Sequence, residues 1–347
     1  LASRAGKAGA RIVAAGPVVK VIPMDCTPFL HGHVRCERLD GAPVPRRHSA
    51  AQEVLLAGDP VWPRCARGCA GIELRLRTDS AFVDLRLRTW GDVRPRLALD
   101  VEVDGAWHRT IRETDAPAVV ERRVFEIQDR GQRILRTIRI HLPIGLEVAV
   151  ERLTVDPGAV CEPVPAAGRR LLCLGDSITQ GHAAGSPAAG WTALLARLRG
   201  MELRNQGIAG HVWHPEYLAD VPAWEPHEVV VAYGVNDWSR GGPAGADHAA
   251  AIGARAAEGL ARLRPRIGAA RLAVLTPLWC TFAHETRHGC DLAAVRAAIA
   301  AAARAAGAQI IDGAAILPAE PWWTADGLHP NDAGMAVIAE RVHRTLG

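Results

Sequence analysis

From residue 171 onward the chain alternates short apolar runs with alanine-rich stretches of helical period, and that rhythm admits few folds. The runs are 171–174, 202–205, 228–233, 271–276 and 308–312, and the helical stretches lie near 190–199, 246–263, 291–306 and 332–345. Short runs without polar alternation suit strands buried on both faces, and a β-α-β-α order joins such strands in parallel. The expected fold class is therefore α/β, with a parallel sheet between two helical layers (α/β/α). Residues 18–160 read differently. The stretches 71–77, 82–87, 97–103 and 138–142 alternate apolar with polar residues and are separated by turn signals, as half-buried antiparallel strands are. An all-β, jelly-roll-like sandwich is expected there, after an N-terminal extension at 1–17. A Pro-containing linker, 161–168, would connect it to the α/β domain at 169–347. A chain of 347 residues is long enough for two cores.

Open α/β sheets collect reactive groups beyond the carboxyl ends of their strands. Gly175-Asp176-Ser177-Ile178 follows directly on the run Leu171 to Leu174, which puts Ser177 where a buried strand gives way to a turn. Three more segments end apolar runs in the same manner: Leu203 to Gly210, Val229 to Asp237, and Asp326-Gly327-Leu328-His329-Pro330. Acyl transfer needs a nucleophile, a base, a group that orients the base, and donors for the oxyanion. Ser177 suits the first role and His329 the second. Asp326 lies three residues before His329, so one turn can hold both side chains and the carboxylate can fix the ring tautomer. Taken singly, Ser177 reads as a helix N-cap and Asn205 or Asn236 as turn formers. Their joint occurrence favours the chemistry. No Gly-x-Ser-x-Gly elbow surrounds Ser177, so the α/β-hydrolase arrangement is not indicated. Asp176 and Asp237 read as turn-holding residues, because a carboxylate pointing inward would oppose a negative oxyanion.

Together the four segments resemble the blocks of the SGNH, or GDSL-type, hydrolase superfamily over roughly residues 169–347, with GDSI where many members have GDSL. The resemblance implies flavodoxin-like packing and a triad of Ser177, Asp326 and His329. It also implies an oxyanion hole made by the Ser177 and Gly207 N–H groups and the Asn236 amide, and a mechanism without cofactor or metal. Its partners would be small molecules, an ester or thioester acyl donor and a hydroxylated acceptor. Members cleave acetyl, fatty-acyl and sugar esters, and a minority hand the acyl group to an alcohol. The overall resemblance favours an acyltransferase that moves an aromatic acyl group onto a natural product. A carbohydrate or small-ester esterase comes next, and an inactive carbohydrate-binding protein is the remote alternative. Sandwiches joined to such domains resemble carbohydrate-binding modules, and a scaffold forming one wall of the cleft is an equal reading. Trp213, Trp238, Trp279, Trp322 and Trp323 lie beside these blocks or strand ends. They are expected to ring Ser177 as a substrate pocket or to pack against the sandwich.

The formal net charge is +4, and Lys7 and Lys20 are the only lysines. The arginines are spread along the chain without a recognition motif, so nucleic-acid binding is not supported. No apolar stretch is long enough to span a membrane, and the first seventeen residues lack the apolar core of a signal peptide. Cys173 inside a buried run behaves as a small hydrophobe, and a cytoplasmic location is expected. The run Cys280, His284, His288, Cys290 is irregular beside known zinc spacings, and Cys65 with Cys69 is weaker still. The oligomeric state is left open.

Overall fold

A computed structural model describes residues 25–91, 96–115, 117–127, 133–241 and 247–347. The expected extension 1–17, the start of the sandwich segment at 18–24 and residue 246 lie outside the described residues. The five apolar runs form one parallel sheet. Its strands stand in the order Glu202–Gly207, Arg170–Gly175, Glu228–Ala232, Arg271–Leu275, Gln309–Ile311. Sequence order is thus 2-1-3-4-5, the flavodoxin-like arrangement, and it switches direction beside the strand that leads into Ser177. Two apolar clusters cover the two faces. One contains Leu172, Leu174, Val229, Val231 and the long helix His248–Ile267; the other contains Leu171, Cys173, Val230 and the last helix, Asp332–Leu346.

The alternating stretches pair antiparallel in two sheets. One comprises Leu30–His31, Glu73–Thr78, Arg136–His141, Leu97–Val103 and Ala106–Glu113; the other comprises Glu147–Val155, Phe82–Trp90 and Val119–Glu126. Both contribute inward residues to a single cluster that includes Leu74, Leu76, Leu85, Leu87, Leu99 and Val148. Cys161–Pro163, at the start of the expected linker, adds a further strand along Glu73–Thr78.

Residues inside the sandwich segment also form two helices that packing assigns elsewhere. Helix α1 (Ala50–Leu56) starts at a Ser49/Gln52 capping box, and α2 (Trp62–Arg67) follows it. Leu56, Cys65 and Ala66 from this pair join the α/β cluster with Leu172, Ile208 and Tyr217. Close backbone approach accompanies this packing. A Cβ on Gly71, whose φ is +74°, would stand 2.8 Å from the Asn205 Cβ, so the sandwich lies directly on the edge strand Glu202–Gly207.

Arg47 holds the seam. Its fully buried guanidinium donates to the carbonyls of Cys65 (3.0 Å), Gly68 (2.6 Å), Asn205 (2.9 Å) and Gly207 (2.8 Å). Burial pulls its pKa down to about 10, which still leaves it charged at neutral pH. Arg47→Met would leave three buried carbonyls, those of Gly68, Asn205 and Gly207, without donors, at roughly 1–3 kcal/mol each where water cannot replace them, while Cys65 O keeps Gln180 Nε2. Urea unfolding should show a loss of at least about 3 kcal/mol, and Arg47→Lys should not restore it, because an ammonium lacks the planar fork. A loss under about 1 kcal/mol would mean that the seam does not depend on this side chain.

Candidate active site

Strand Arg170–Gly175 ends at a short helix, α3 (Ser177–Gln180), whose N-cap Asp176 accepts the Ile178 N–H at 2.9 Å. Ser177 is therefore the first residue of a helix, where backbone amides lack intrahelical acceptors and favour negative charge. Its Oγ lies 2.9 Å from His329 Nε2. His329 Nδ1 is 2.7 Å from Asp326 Oδ2, and Asp326 Oδ1 accepts the backbone N–H groups of His329 (2.8 Å) and Leu328 (3.1 Å). With Nδ1–H donating to Asp326, Nε2 is left as an acceptor for the serine hydroxyl. Burial alone would raise the Asp326 carboxyl. The His329 backbone and ring N–H groups and the Leu328 amide hold it at about 2 instead, so it stays ionised throughout the neutral range.

Of the groups expected to meet an oxyanion, the Gly207 N–H is not free to do so. The Gly207 N–H is engaged by Asn205 Oδ1 at 2.8 Å, while Asn205 Nδ2 donates to Thr179 O (2.8 Å) and Thr192 Oγ1 (2.9 Å). Gly207 is still inside its strand, and a Cβ there would meet Gln180 N at 2.3 Å. Its bare Cα thus serves contact with α3, not approach to a substrate. Beyond the strand, Gly210 has φ +76° and its amide bonds to no other described residue. Ala209 N donates to Gln180 Oε1 at 2.8 Å, and one Asn236 amide N–H donates to His211 O at 3.1 Å. These bonds fix the turn around Gly210 beside the Asn236 amide, whose second N–H is left for a ligand. Gly210 differs from Gly207 by three positions, and what separates them is where the strand stops, a boundary that the sequence places only loosely.

Asp176 and Asp237 are both buried. Desolvation pushes Asp176 up to about 7, opposed by the Ile178 N–H and reinforced by Asp237. Desolvation also raises Asp237, which accepts the Trp213 N–H and faces Arg255 at 3.4 Å. Both hold turns; Asp176 directs no full negative charge at Ser177 when it carries its proton, and Asp237 is turned toward Arg255.

Two of the five tryptophans expected around Ser177 do not face it. Trp213 (1% exposed) and Trp238 (0%) are core residues: Trp213 packs on Tyr233, and Trp238 stacks on Phe282 while its Nε1–H donates to Cys290 O. Trp279 and Trp323 are half-buried, and Trp323 donates to Glu320. Trp322 alone of the five is widely exposed, at 65%. Next to the triad lies instead a cleft of about 650 Å³, lined by Asp326 and His182 from the α/β domain and by Arg96, Thr114 and Ile144 from the sandwich. The His182 ring sits 4.4 Å from that of His329, and its backbone N–H donates to Ser177 O. His182 carries no signal in the sequence beyond following the nucleophile helix. Cys280 and Cys290 are buried, and among the described residues no group of three His, Cys, Asp or Glu side chains forms a metal cage. No described helix is long and apolar enough to cross a membrane.

Residues 173–337 match the family model of the GDSL-like Lipase/Acylhydrolase family. No curated protein matches the sequence. Among solved structures, the salicylyl-acyltransferase SsfX3 from a tetracycline biosynthetic pathway is similar at 21% identity and a TM-score of 0.76, over 94% of this chain and 96% of its own. A Bacteroides ovatus protein assigned as a GDSL-like lipase is similar at 17% identity and a TM-score of 0.73, over 91% and 95%. A family two carbohydrate esterase from Clostridium thermocellum, in complex with cellohexaose, is similar at 14% identity and a TM-score of 0.63, over 83% and 94%. At these identities the likeness is one of fold.

Asp176 gives the site a stability signature. Its folded pKa of about 7 exceeds the unfolded value of ~3.9, so between these pH values the folded state binds more protons and stability falls as pH rises. Asp176→Asn keeps an N-cap acceptor and removes the titration. The variant's melting temperature should gain on that of the wild type between pH 5 and pH 8; a constant difference would show that Asp176 is ionised in the fold.

Proposed function

Because residues 173–337 form a GDSL-like lipase/acylhydrolase domain, we propose that the protein transfers acyl groups through a covalent Ser177 ester. The observation that carries this reading is the continuous relay from Ser177 Oγ to His329 Nε2 (2.9 Å) and from Nδ1 to Asp326 (2.7 Å). In the first half-reaction Ser177 Oγ bonds to the acyl carbon while its proton passes to His329 Nε2, and Asp326 stabilises the imidazolium. The oxyanion is met by the N–H groups of Ser177 and Gly210 and by the Asn236 amide. Collapse breaks the acyl C–O or C–S bond, and the leaving alcohol or thiol takes the proton from Nε2. In the second half an incoming hydroxyl gives its proton to Nε2 and bonds to the acyl carbon, and Ser177 Oγ departs with that proton.

The acceptor in our first reading is a hydroxylated small molecule, with an aromatic acyl group delivered from an ester or thioester. The acyltransferase that shares the fold along nearly the whole chain supports it. Ester hydrolysis, of acetylated carbohydrates in particular, is the second reading. It is favoured by the burial of Trp213 and Trp238, which withdraws two of the five rings expected to keep water from the acyl-enzyme.

Incubation with a panel of acyl esters and thioesters should leave an acyl mass on Ser177, and Ser177→Ala or His329→Ala should reduce turnover by several orders of magnitude. Retention of more than about a tenth of wild-type activity in Ser177→Ala would refute the proposal. Asn236→Ala should lower kcat by about 10²–10³ with little change in KM, since its amide bonds the oxyanion more strongly than the ground-state carbonyl. A raised KM with intact kcat would make Asn236 a substrate binder instead.

A further inference from the structure

We propose that the cleft between the two domains holds the alcohol part of the ester and selects a polyhydroxylated, sugar-like alcohol. His182 on one wall and Arg96 and Thr114 on the other are its specificity-determining residues. The inference rests on the acyl-serine reading and adds what the alcohol must be.

Proton transfer fixes the side. The alcohol oxygen takes its proton from His329 Nε2, so it lies toward the His329 loop and away from Gly210 and Asn236, where the acyl oxygen is bound. The cleft lies on that side: Asp326 and the His182 ring, 4.4 Å from the base, are part of its lining. Its volume of about 650 Å³ falls in the range typical of small-molecule sites, ~300–1,000 Å³.

The chemistry of the walls selects the occupant. The guanidinium of Arg96 supplies donors, the Thr114 hydroxyl donates and accepts, and the His182 imidazole can do either according to tautomer. Among the described residues Arg96 has no carboxylate partner, and Arg96 and Thr114 are exposed. Ile144 and Pro187 add apolar surface to the same cleft. Hydroxyls pointing several ways around a ring with C–H faces match this mixture, whereas a plain alkyl alcohol would leave most of these groups unused.

The walls are held in register. The loop after His182 is fastened to both neighbours: Gly185 N donates to Asp332 Oδ1 (2.6 Å), Gly185 O accepts from Arg112 Nε (3.2 Å), and Ala188 N donates to Asp100 Oδ2 (2.7 Å). Arg112 and Asp100 lie on sandwich strands, so the sandwich positions this wall as well as supplying the opposite one.

The test compares kcat/KM on a mono-O-acetylated methyl xyloside with that on p-nitrophenyl acetate, whose leaving group offers no ring of hydroxyls. His182→Phe keeps a ring against His329 and removes its hydrogen-bonding nitrogens. Arg96→Ala and Thr114→Val change exposed groups on the other domain, so loss of folding in one variant does not remove the test. In each variant the ratio of sugar ester to aryl ester should fall, by about tenfold or more in His182→Phe and Arg96→Ala. An unchanged ratio in all three, with Ser177 still acylated, overturns the inference and leaves the acyl-serine reading standing. A wild-type protein inert toward both esters and unlabelled at Ser177 defeats that reading first, and the inference with it.

Discussion

A buried cation with no carboxylate beside it ties the molecule together. Arg47 donates to four carbonyls, one within α2, one just after it, and two at the end of the strand that leads to the Gly210 turn. Without those acceptors the desolvation of a guanidinium would be prohibitive, and without Arg47 the Gly68, Asn205 and Gly207 carbonyls would be stranded in turn. The arrangement holds only when both domains are in place. Folding of the sandwich side and the geometry of Asn205 and Gly207 are therefore one event in energetic terms. Gln180 extends the link: its Nε2 donates to Cys65 O and its Oε1 accepts from Ala209 N, so the nucleophile helix, α2 and the Gly210 turn share partners.

Two carboxylates within the site are driven in opposite directions by their surroundings. Asp326 is reached by three N–H groups and stays charged, whereas Asp176 is desolvated with few donors and rises to about 7. Chemistry needs the difference. Under the proposed acyl-serine chemistry a charged Asp326 would stabilise the imidazolium formed when Ser177 gives up its proton, and a charge at Asp176 would raise the energy of an oxyanion only a residue or two away. The position of Asp176 as an N-cap explains why a carboxyl is tolerated there at all, since even the protonated form keeps an acceptor for Ile178 N–H.

The fold was legible because its signals are periodic. Apolar runs separated by helical repeats marked the three inner strands of the parallel sheet, the outer segments 202–205 and 308–312 carry polar residues and follow from the β-α order, and alternation marked the sandwich. The Ser177, Asp326 and His329 constellation was legible because each member is confined to a strand end or a turn. What escaped depends on distances along and between elements. Leu56, Cys65 and Ala66 carry no period-two signal and pack across the chain onto a sheet that begins a hundred residues later. Gly207 and Gly210 are equally plausible as bare residues until the strand end separates a bonded amide from a free one. Trp213 and Trp238 follow the active-site segments closely, yet each ring turns inward to fill volume beneath the loops, as large apolar rings do when a core is within reach.

The sandwich takes on a defined task under this geometry. An acyl-enzyme discriminates between water and an alcohol by position more than by intrinsic reactivity, since water is always present in excess. With Trp213 and Trp238 turned into the core, exclusion of water would fall largely to the acceptor itself filling the interdomain cleft. A bound alcohol would both displace solvent and stand next to His329, so transfer would depend on occupancy of the cleft and hydrolysis would resume when it emptied. The same walls would bind the leaving alcohol of an ester in the forward direction and the attacking alcohol in the reverse, because both pass through one tetrahedral intermediate. On the proposed reading hydrolysis and transfer would be two outcomes of a single site, divided by how long an alcohol stays between Arg96 and His182.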